Sequence, residues 1–200
     1  MGIDELFGKK RNPKQTKIHD LEIAKGTIID ASLGTDESIE DYLSRHKNGE
    51  LTEMVQNSIF YLVHPFVEAV YKEVFPNLRR KNNDPDVVKR RKKLHETYLN
   101  NLMRLIDNPS RSYELILVED EVVYERKTKG LLQRCDFDGV ILSKKGQGVP
   151  LGKEIIRCSQ NHNYCGGNYR DQCVLHFAKF FANFTSNRIK IMEDFSLELI

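Results

Sequence analysis

Cysteine is scarce. The 200 residues contain four, too few for a disulfide scaffold, so reduced thiols inside a cell are expected. Long apolar runs are missing: none approaches the ~20 residues of a membrane span, so no membrane partner is expected. The opening Met1-Gly2-Ile3-Asp4-Glu5 lacks the basic and apolar regions of a secretory signal, which points to a nuclear or cytoplasmic protein. An excess of one charge is missing too. Thirty-one Lys and Arg face 29 Asp and Glu, a net charge of +2, which excludes a uniformly basic nucleic-acid coat. Internal repeats and low-complexity linkers are also lacking. What remains is a globular balance, 30% charged and 40% hydrophobic, in a length that suits one compact α/β domain spanning 1–200.

The charge is unevenly placed. Residues 9–17 carry five Lys or Arg and no acid, and residues 79–93 carry eight against two Asp. Acids gather in 36–41, 119–125 and 193–198. Lys89, Arg90, Arg91, Lys92 and Lys93 fall on the first two turns of an expected helix. Cations near a helix N-terminus oppose the helix dipole, and phosphate contact is their natural use. DNA or RNA, held through this basic helix, is therefore one expected partner, and a protein partner is another.

Periodicity and punctuation predict the elements. Gly26–Ala31 reads as a short buried strand running into Asp30, and 37–46 as a short polar helix. Residues 50–72 have helical spacing with a break near Pro65. A short strand is expected at Val74-Phe75. A long helix follows over 84–107, with Asp84 as N-cap, Pro85 at its first position and Leu94, Tyr98, Leu102, Leu105 and Ile106 as its apolar stripe. Residues 113–124 read as a hairpin or as a strand leading into a helix. Gly139–Leu142 and Glu154–Arg157 read as strands, and 171–184 as an apolar helix. Strands alternating with helices predict a three-layer α/β/α sandwich with a largely parallel sheet.

Several residues carry chemistry by type and spacing. Asp138, Glu154 and Gln172, with Glu96 upstream, follow the order of the PD-(D/E)xK nucleases. The lysine of that pattern is missing: Ile156 holds its place and Arg157 lies one residue beyond. Cys158, His162 and Cys165, followed by Cys173 and His176, offer enough ligands for one zinc ion, though Cys173 and His176 lie in the apolar helix. Buried small hydrophobes are the plainer use of such cysteines, and these same residues are all that would support cysteine–histidine nucleophilic chemistry. Lys144–Gly148 is a basic, Gly-rich loop without the closing Lys-Ser/Thr of a phosphate-binding loop.

A series of pieces in order carries a family resemblance. They are the opening Met1-Gly2-Ile3, the strand Ile28-Ile29-Asp30-Ala31-Ser32, a helix containing Phe60-Tyr61, Val74-Phe75-Pro76-Asn77, the basic helix beginning Lys89-Arg90, and Gly139–Gly152 followed by Gln172-Cys173-Val174 through Asn183-Phe184. Together they resemble the flap-endonuclease/XPG family, whose fold is PIN-like. The resemblance implies a two-metal centre for Mg²⁺ or Mn²⁺, which several converging carboxylates must hold. Asp30 matches the first metal-binding aspartate. Pro76, Lys145, Gln147 and Asn183 stand where further acids belong. Glu119 and Glu121, at i, i+2, are candidates for the Glu-x-Glu pair. The resemblance thus implies a catalytically degenerate, nuclease-like domain that binds nucleic acid or acts as a scaffold in replication, repair or RNA handling. An active metal-dependent nuclease using Asp30, Glu119 and Glu121, or the Asp138/Glu154 set, is the alternative.

Overall fold

The computed structural model describes residues 26–45, 52–68, 70, 84–131, 135–144, 147–152 and 154–198. The expected strand at Val74-Phe75, the basic block at 9–17 and Lys145 lie outside them.

In chain order the elements are β1 (Gly26–Ile29), α1 (Glu37–Arg45), β2 (Thr52–Val55), β3 (Ser58–Val63), α2 (Pro85–Ile106) and β4 (Tyr113–Asp120). A short helix α3 (Glu121–Val123) runs through a π-helical turn at Tyr124–Thr128 into α4 (Lys129–Leu131). Then come β5 (Gly139–Ser143), β6 (Ile156–Ser159), β7 (Asn163–Asn168), a second π-helical turn at Arg170–Val174, α5 (Leu175–Thr185) and β8 (Ile189–Leu197).

Six strands form one sheet in the order β1-β8-β7-β3-β4-β5. All pairings are parallel except β1 with β8. A separate parallel pair, β2 with β6, packs its Ile156 and Cys158 into one face of the main sheet. This is a mixed α/β fold with a central, mostly parallel sheet.

β3 sits at the centre, between β4 and β7, and every residue from Ser58 to Val63 is buried. Phe60 and Leu62 point into one core with Tyr98, Leu102 and Ile106 of α2. Ile59, Tyr61 and Val63 point into the other with Ile39 and Tyr42 of α1 and the phenylalanines of α5. Each such fully buried side chain contributes about 1.5–3 kcal/mol. Of the helix expected over 50–72, the part before Pro65 is thus replaced by β2 and β3, while Val67, Glu68 and Val70, after the break, are helical. A strand covered on both faces reads as a continuous apolar run, and that run mimics a buried helix.

Other expectations fare differently. α1 and α2 form as expected; Asp84 caps α2 by accepting from Asp86 N at 2.9 Å, with Pro85 at the first position. Residues 113–124 are a strand leading into a helix. β1 is an edge strand with Ile28 56% exposed, not a buried one. The strand expected at Glu154–Arg157 starts two residues later. β7, Asn-Tyr-Cys-Gly-Gly-Asn, is buried throughout because its glycines admit close neighbours. A Cβ on Gly167, at φ 142°, would collide with the Val63 carbonyl. Among the described residues no helix is long and apolar enough to cross a membrane.

Two directions in the topology set up a site. After β3 the chain goes to α2 on one face; after β7 it goes to α5 on the other. The strand order reverses between β3 and β7. In open parallel sheets this switch point splits the loops apart at the carboxyl ends of the strands, where ligands bind.

Candidate functional site at the carboxyl edge of the sheet

Three neighbouring apolar strands end in polar residues at this edge: β3 in Val63-His64, β4 in Val118-Glu119-Asp120 and β5 in Leu142-Ser143. The register sets Asp120 directly opposite Ser143. Side chains alternate along a strand, so Val118, Asp120, Ile141 and Ser143 share the α5 face, whereas Glu119 shares the α2 face.

His64 and Tyr169, which follow the two strands of the switch point, are both left-handed, at φ 48° and 58°. For a residue with a Cβ this conformation costs on the order of 1 kcal/mol or more and persists where the surroundings hold it. His64 is held by its N–H, which donates to Val118 O at 2.7 Å. Its Nε2 lies 2.6 Å from Ser143 Oγ, across the intervening β4. Both groups are nearly covered, at 2% and 1% exposure. Burial pushes the imidazole pKa down to about 4, so at neutral pH the ring is uncharged and one nitrogen accepts a hydrogen bond.

The carboxylates beside this pair have different partners. Asp120 caps α3, accepting from Val122 N at 2.9 Å and Val123 N at 3.3 Å. Glu119 accepts from Asp120 N at 3.0 Å and from Thr128 Oγ1 at 3.2 Å. Those bonds favour its charged form, but full burial outweighs them and raises its pKa to about 8. At neutral pH Glu119 is therefore mostly neutral.

The far wall comes from β7 and the turn after it. Asn168 Nδ2 donates to Pro65 O at 3.2 Å, which fixes the amide; its Oδ1 is buried and accepts nothing. Tyr98 Oη donates to the same carbonyl at 3.1 Å. Cys173 follows in the π-helical turn. Burial, then the nearby Asp120 and Glu119, push its thiol up to about 12. The return from β5 rests on this turn: Lys144 N donates to Val149 O at 2.9 Å. There Gly148, at φ 67°, leaves no room for a Cβ against the Cys173 carbonyl. Gln147 Oε1, in the same return, is likewise buried without a donor. Buried acceptors left unpaired cost about 1–3 kcal/mol each and mark unspent binding capacity.

The residues singled out in the sequence are distributed differently. Asp30 follows β1 and lies at the opposite, amino edge. From its level on β4 to Glu119 is roughly six residues, about 20 Å along the strands, and four strand spacings, about 19 Å, across. Ser32 hydrogen bonds, more than Arg188, hold the Asp30 carboxyl below the usual range. Glu121 is exposed on α3 while Glu119 points into the core. The three acids do not converge, because β1 runs antiparallel and on the far side of the sheet.

Asp138 and Glu154 do meet, with Arg157, along a cavity of about 300 Å³ at the amino end of β5. Their polar capacity is engaged: Asp138 takes Arg111 at 3.0 Å and Leu115 N at 2.7 Å, and Arg157 takes Glu114 at 2.8 Å and Glu53 at 3.2 Å. Gln172 is at the other edge, in the turn after β7, and Glu96 is exposed on α2.

Cys158 on β6 and Cys165 on β7 lie in the α5-side core, His162 precedes β7 at the amino edge, and Cys173 is at the carboxyl edge. A strand length separates His162 from Cys173. His176 instead faces Asp36 at 3.6 Å. Among the described residues no three His, Cys, Asp or Glu groups come together as ligands.

On α2, Lys89, Arg90, Lys92 and Lys93 are exposed and Arg91 is half-buried. Tyr98 reaches the carboxyl end of β3, while Tyr113, at the start of β4, donates to Leu105 O at 3.0 Å. The helix therefore runs against the strands. Its basic turns stand roughly 7–14 Å beyond Tyr98, on the same side of the molecule as His64.

His64 and Ser143 were not among the residues singled out from the sequence. The available signal was three apolar strands each ending in a polar residue. Comparison with known proteins finds no matching family model, no matching curated protein and no matching solved structure.

Proposed function

We propose that the carboxyl edge is the active site of a hydrolase acting on small esters or amides, with Ser143 as nucleophile and His64 as its general base. The observation that carries this reading is the 2.6 Å contact between the His64 ring and Ser143 Oγ, at the switch point of a parallel sheet. A neutral imidazole beside a hydroxyl takes its proton as the oxygen attacks a carbonyl carbon. The same proton then passes to the departing alcohol or amine, and water releases the acyl group from Ser143 by the reverse path. The strained backbone at His64 and Tyr169 supports the assignment, since such strain gathers at functional sites.

The test is labelling with a fluorophosphonate probe, read by mass spectrometry, beside turnover of p-nitrophenyl esters. Ser143 is expected to carry the label; His64→Ala should abolish it and Cys173→Ala should not. Ester turnover that survives Ser143→Ala, or a label only elsewhere, defeats the reading.

A second reading rests on a different observation: four exposed cations on turns of α2 that stand clear of the core. We propose for it a PIN-like, nuclease-derived scaffold that holds DNA or RNA by its phosphates without cutting it; the mostly parallel sheet with helices on either face supports it. Binding to a single-stranded oligonucleotide should weaken steeply between 50 and 200 mM salt, as about four phosphate contacts demand. It should vanish when Lys89 and Arg90 are both changed to Glu. Salt-independent binding, or binding untouched by that change, removes it.

A further inference from the structure

β4 and β5 end side by side at the carboxyl edge, and their last residues are paired. Asp120 is the register partner of Ser143, and strand alternation puts both on the α5 face. Neighbouring strands lie about 4.8 Å apart. The Asp120 carboxyl therefore stands one strand spacing from the hydroxyl that meets His64. Both residues are almost wholly covered, at 3% and 1% exposure. The substituents of a carbonyl carbon bonded to Ser143 Oγ reach across that same spacing.

Asp120 has engaged only half of its carboxylate. Val122 N and Val123 N both donate to Oδ1, at 2.9 and 3.3 Å. Among the described residues no donor reaches Oδ2, and no Lys, Arg or His pairs with it. Lys144, next to Ser143 in the chain, reaches Asp41 of α1 at 3.9 Å instead. The return after β5 adds a second acceptor of the same kind, since Gln147 Oε1 is buried with no donor. That return folds back on Ser143 itself, because Pro150 bridges to it across the strand edge. An unused acceptor thus stands on the β4 side of Ser143 and another in the return on its other side. A ligand that offers these groups only carbon or further acceptors leaves them unpaired and loses affinity. An ammonium has three N–H donors and no acceptor, and its bond to a carboxylate oxygen is among the strong ones.

We infer that the carboxyl edge acts on acyl compounds with an amine on the carbon next to the scissile carbonyl, the class of aminoacyl esters and amides, and that Asp120 selects them. This selection rests on Ser143 as nucleophile and adds the identity of the acyl group. Asp120 Oδ2 and Gln147 Oε1 accept from the ammonium while the carbonyl carbon stands at Ser143 Oγ. The ammonium takes no part in bond making or breaking. It positions the acyl group, and acyl groups without a donor are disfavoured.

Initial rates of the full chain with three p-nitrophenyl esters test this. They are the ester of alanine, that of isobutyric acid, in which a methyl replaces the ammonium, and that of N-acetylalanine, in which the nitrogen keeps one N–H and loses its charge. After subtraction of spontaneous hydrolysis, kcat/KM for the alanine ester should exceed that for the isobutyrate by about tenfold or more, as one hydrogen bond to a charged group supplies. The N-acetylalanine ester should fall nearer the isobutyrate. Asp120→Asn keeps an oxygen to cap α3 and exchanges the free one for an amide NH2. Its alanine-to-isobutyrate ratio should drop to about one, with circular dichroism verifying the fold. The comparison of esters on the parent chain stands whether or not that variant folds. Turnover of none of the esters through Ser143 overturns the hydrolase and the selection together. Ser143-dependent turnover with equal kcat/KM for the alanine and isobutyrate esters overturns the selection alone, as does a preference that survives whole in folded Asp120→Asn.

Discussion

His64 Nε2 and Ser143 Oγ lie 2.6 Å apart although 79 residues separate them in the chain and a whole strand, β4, separates them in the sheet. The left-handed turn at His64 makes this reach, carrying the ring over the end of β4. Removing the hydroxyl leaves a buried ring nitrogen without its partner. Ser143→Ala should therefore destabilise the fold by about 1–3 kcal/mol, while Ser143→Thr, which keeps the hydroxyl, should cost less if its methyl is accommodated. Urea melts of the two variants check the order; equal stability of Ser143→Ala and the parent would mean the contact contributes nothing.

The same edge predicts a pH profile. His64 has its pKa lowered from 6.5 to about 4, so in that window the unfolded chain binds the extra proton and stability rises with pH. Glu119 has its pKa raised from 4.5 to about 8, so in that window the folded chain binds the extra proton and stability falls with pH. Between pH 4.5 and 6.5 the two slopes oppose one another and these groups leave stability nearly flat. From 6.5 to 8 only the Glu119 slope remains, with a loss of about 2 kcal/mol expected. Glu119→Gln keeps the shape and removes the titration. Chemical denaturation at pH 6.5 and 8 should show the decline in the parent and not in the variant; an identical decline in both would exclude Glu119 as its source.

α2 was legible in the sequence because its signals are local: Asp84 and Pro85 start it and a 3.6-residue apolar stripe runs through it. β3 was not, because a strand buried on both faces loses the alternation that marks a strand. β7 was opaque for another reason. Its burial comes from glycines that allow neighbours close, and glycine has no hydrophobic signature. The sequence-based site was built on Asp30, whose strand joins the sheet antiparallel at its far side, a pairing that no local pattern encodes. The pair His64 and Ser143 depends on which strands flank β4. Once that order is known, the polar residues ending β3, β4 and β5 converge by themselves.

Gly148 ties the β5 return to the turn that carries Cys173. Its φ of 67° is strained for any residue with a Cβ, and that Cβ would strike the Cys173 carbonyl. Gly148→Ala should cost more than the ~1 kcal/mol of a left-handed alanine alone, on the order of 2–3 kcal/mol. Gly130→Ala is the matched control, since a Cβ there meets nothing within 4 Å, and it should be neutral or mildly stabilising in a helix. Thermal melts of the pair decide it; a Gly148→Ala variant as stable as Gly130→Ala would show that the return does not press on the turn.

The thiols separate the two nucleophiles that the carboxyl edge offers. Cys158, Cys165 and Cys173 are buried, and burial raises the pKa of all three, that of Cys173 to about 12. Cys135 is half-buried. A thiol reacts as its thiolate and only when reached. Native protein at pH 8 should therefore release one fast equivalent from a disulfide reagent, lost in Cys135→Ser, with the other three reacting at the rate of unfolding. A fast Cys173 would mean that its thiolate forms in the folded protein. It would also move the nucleophile from Ser143 to the turn after β7.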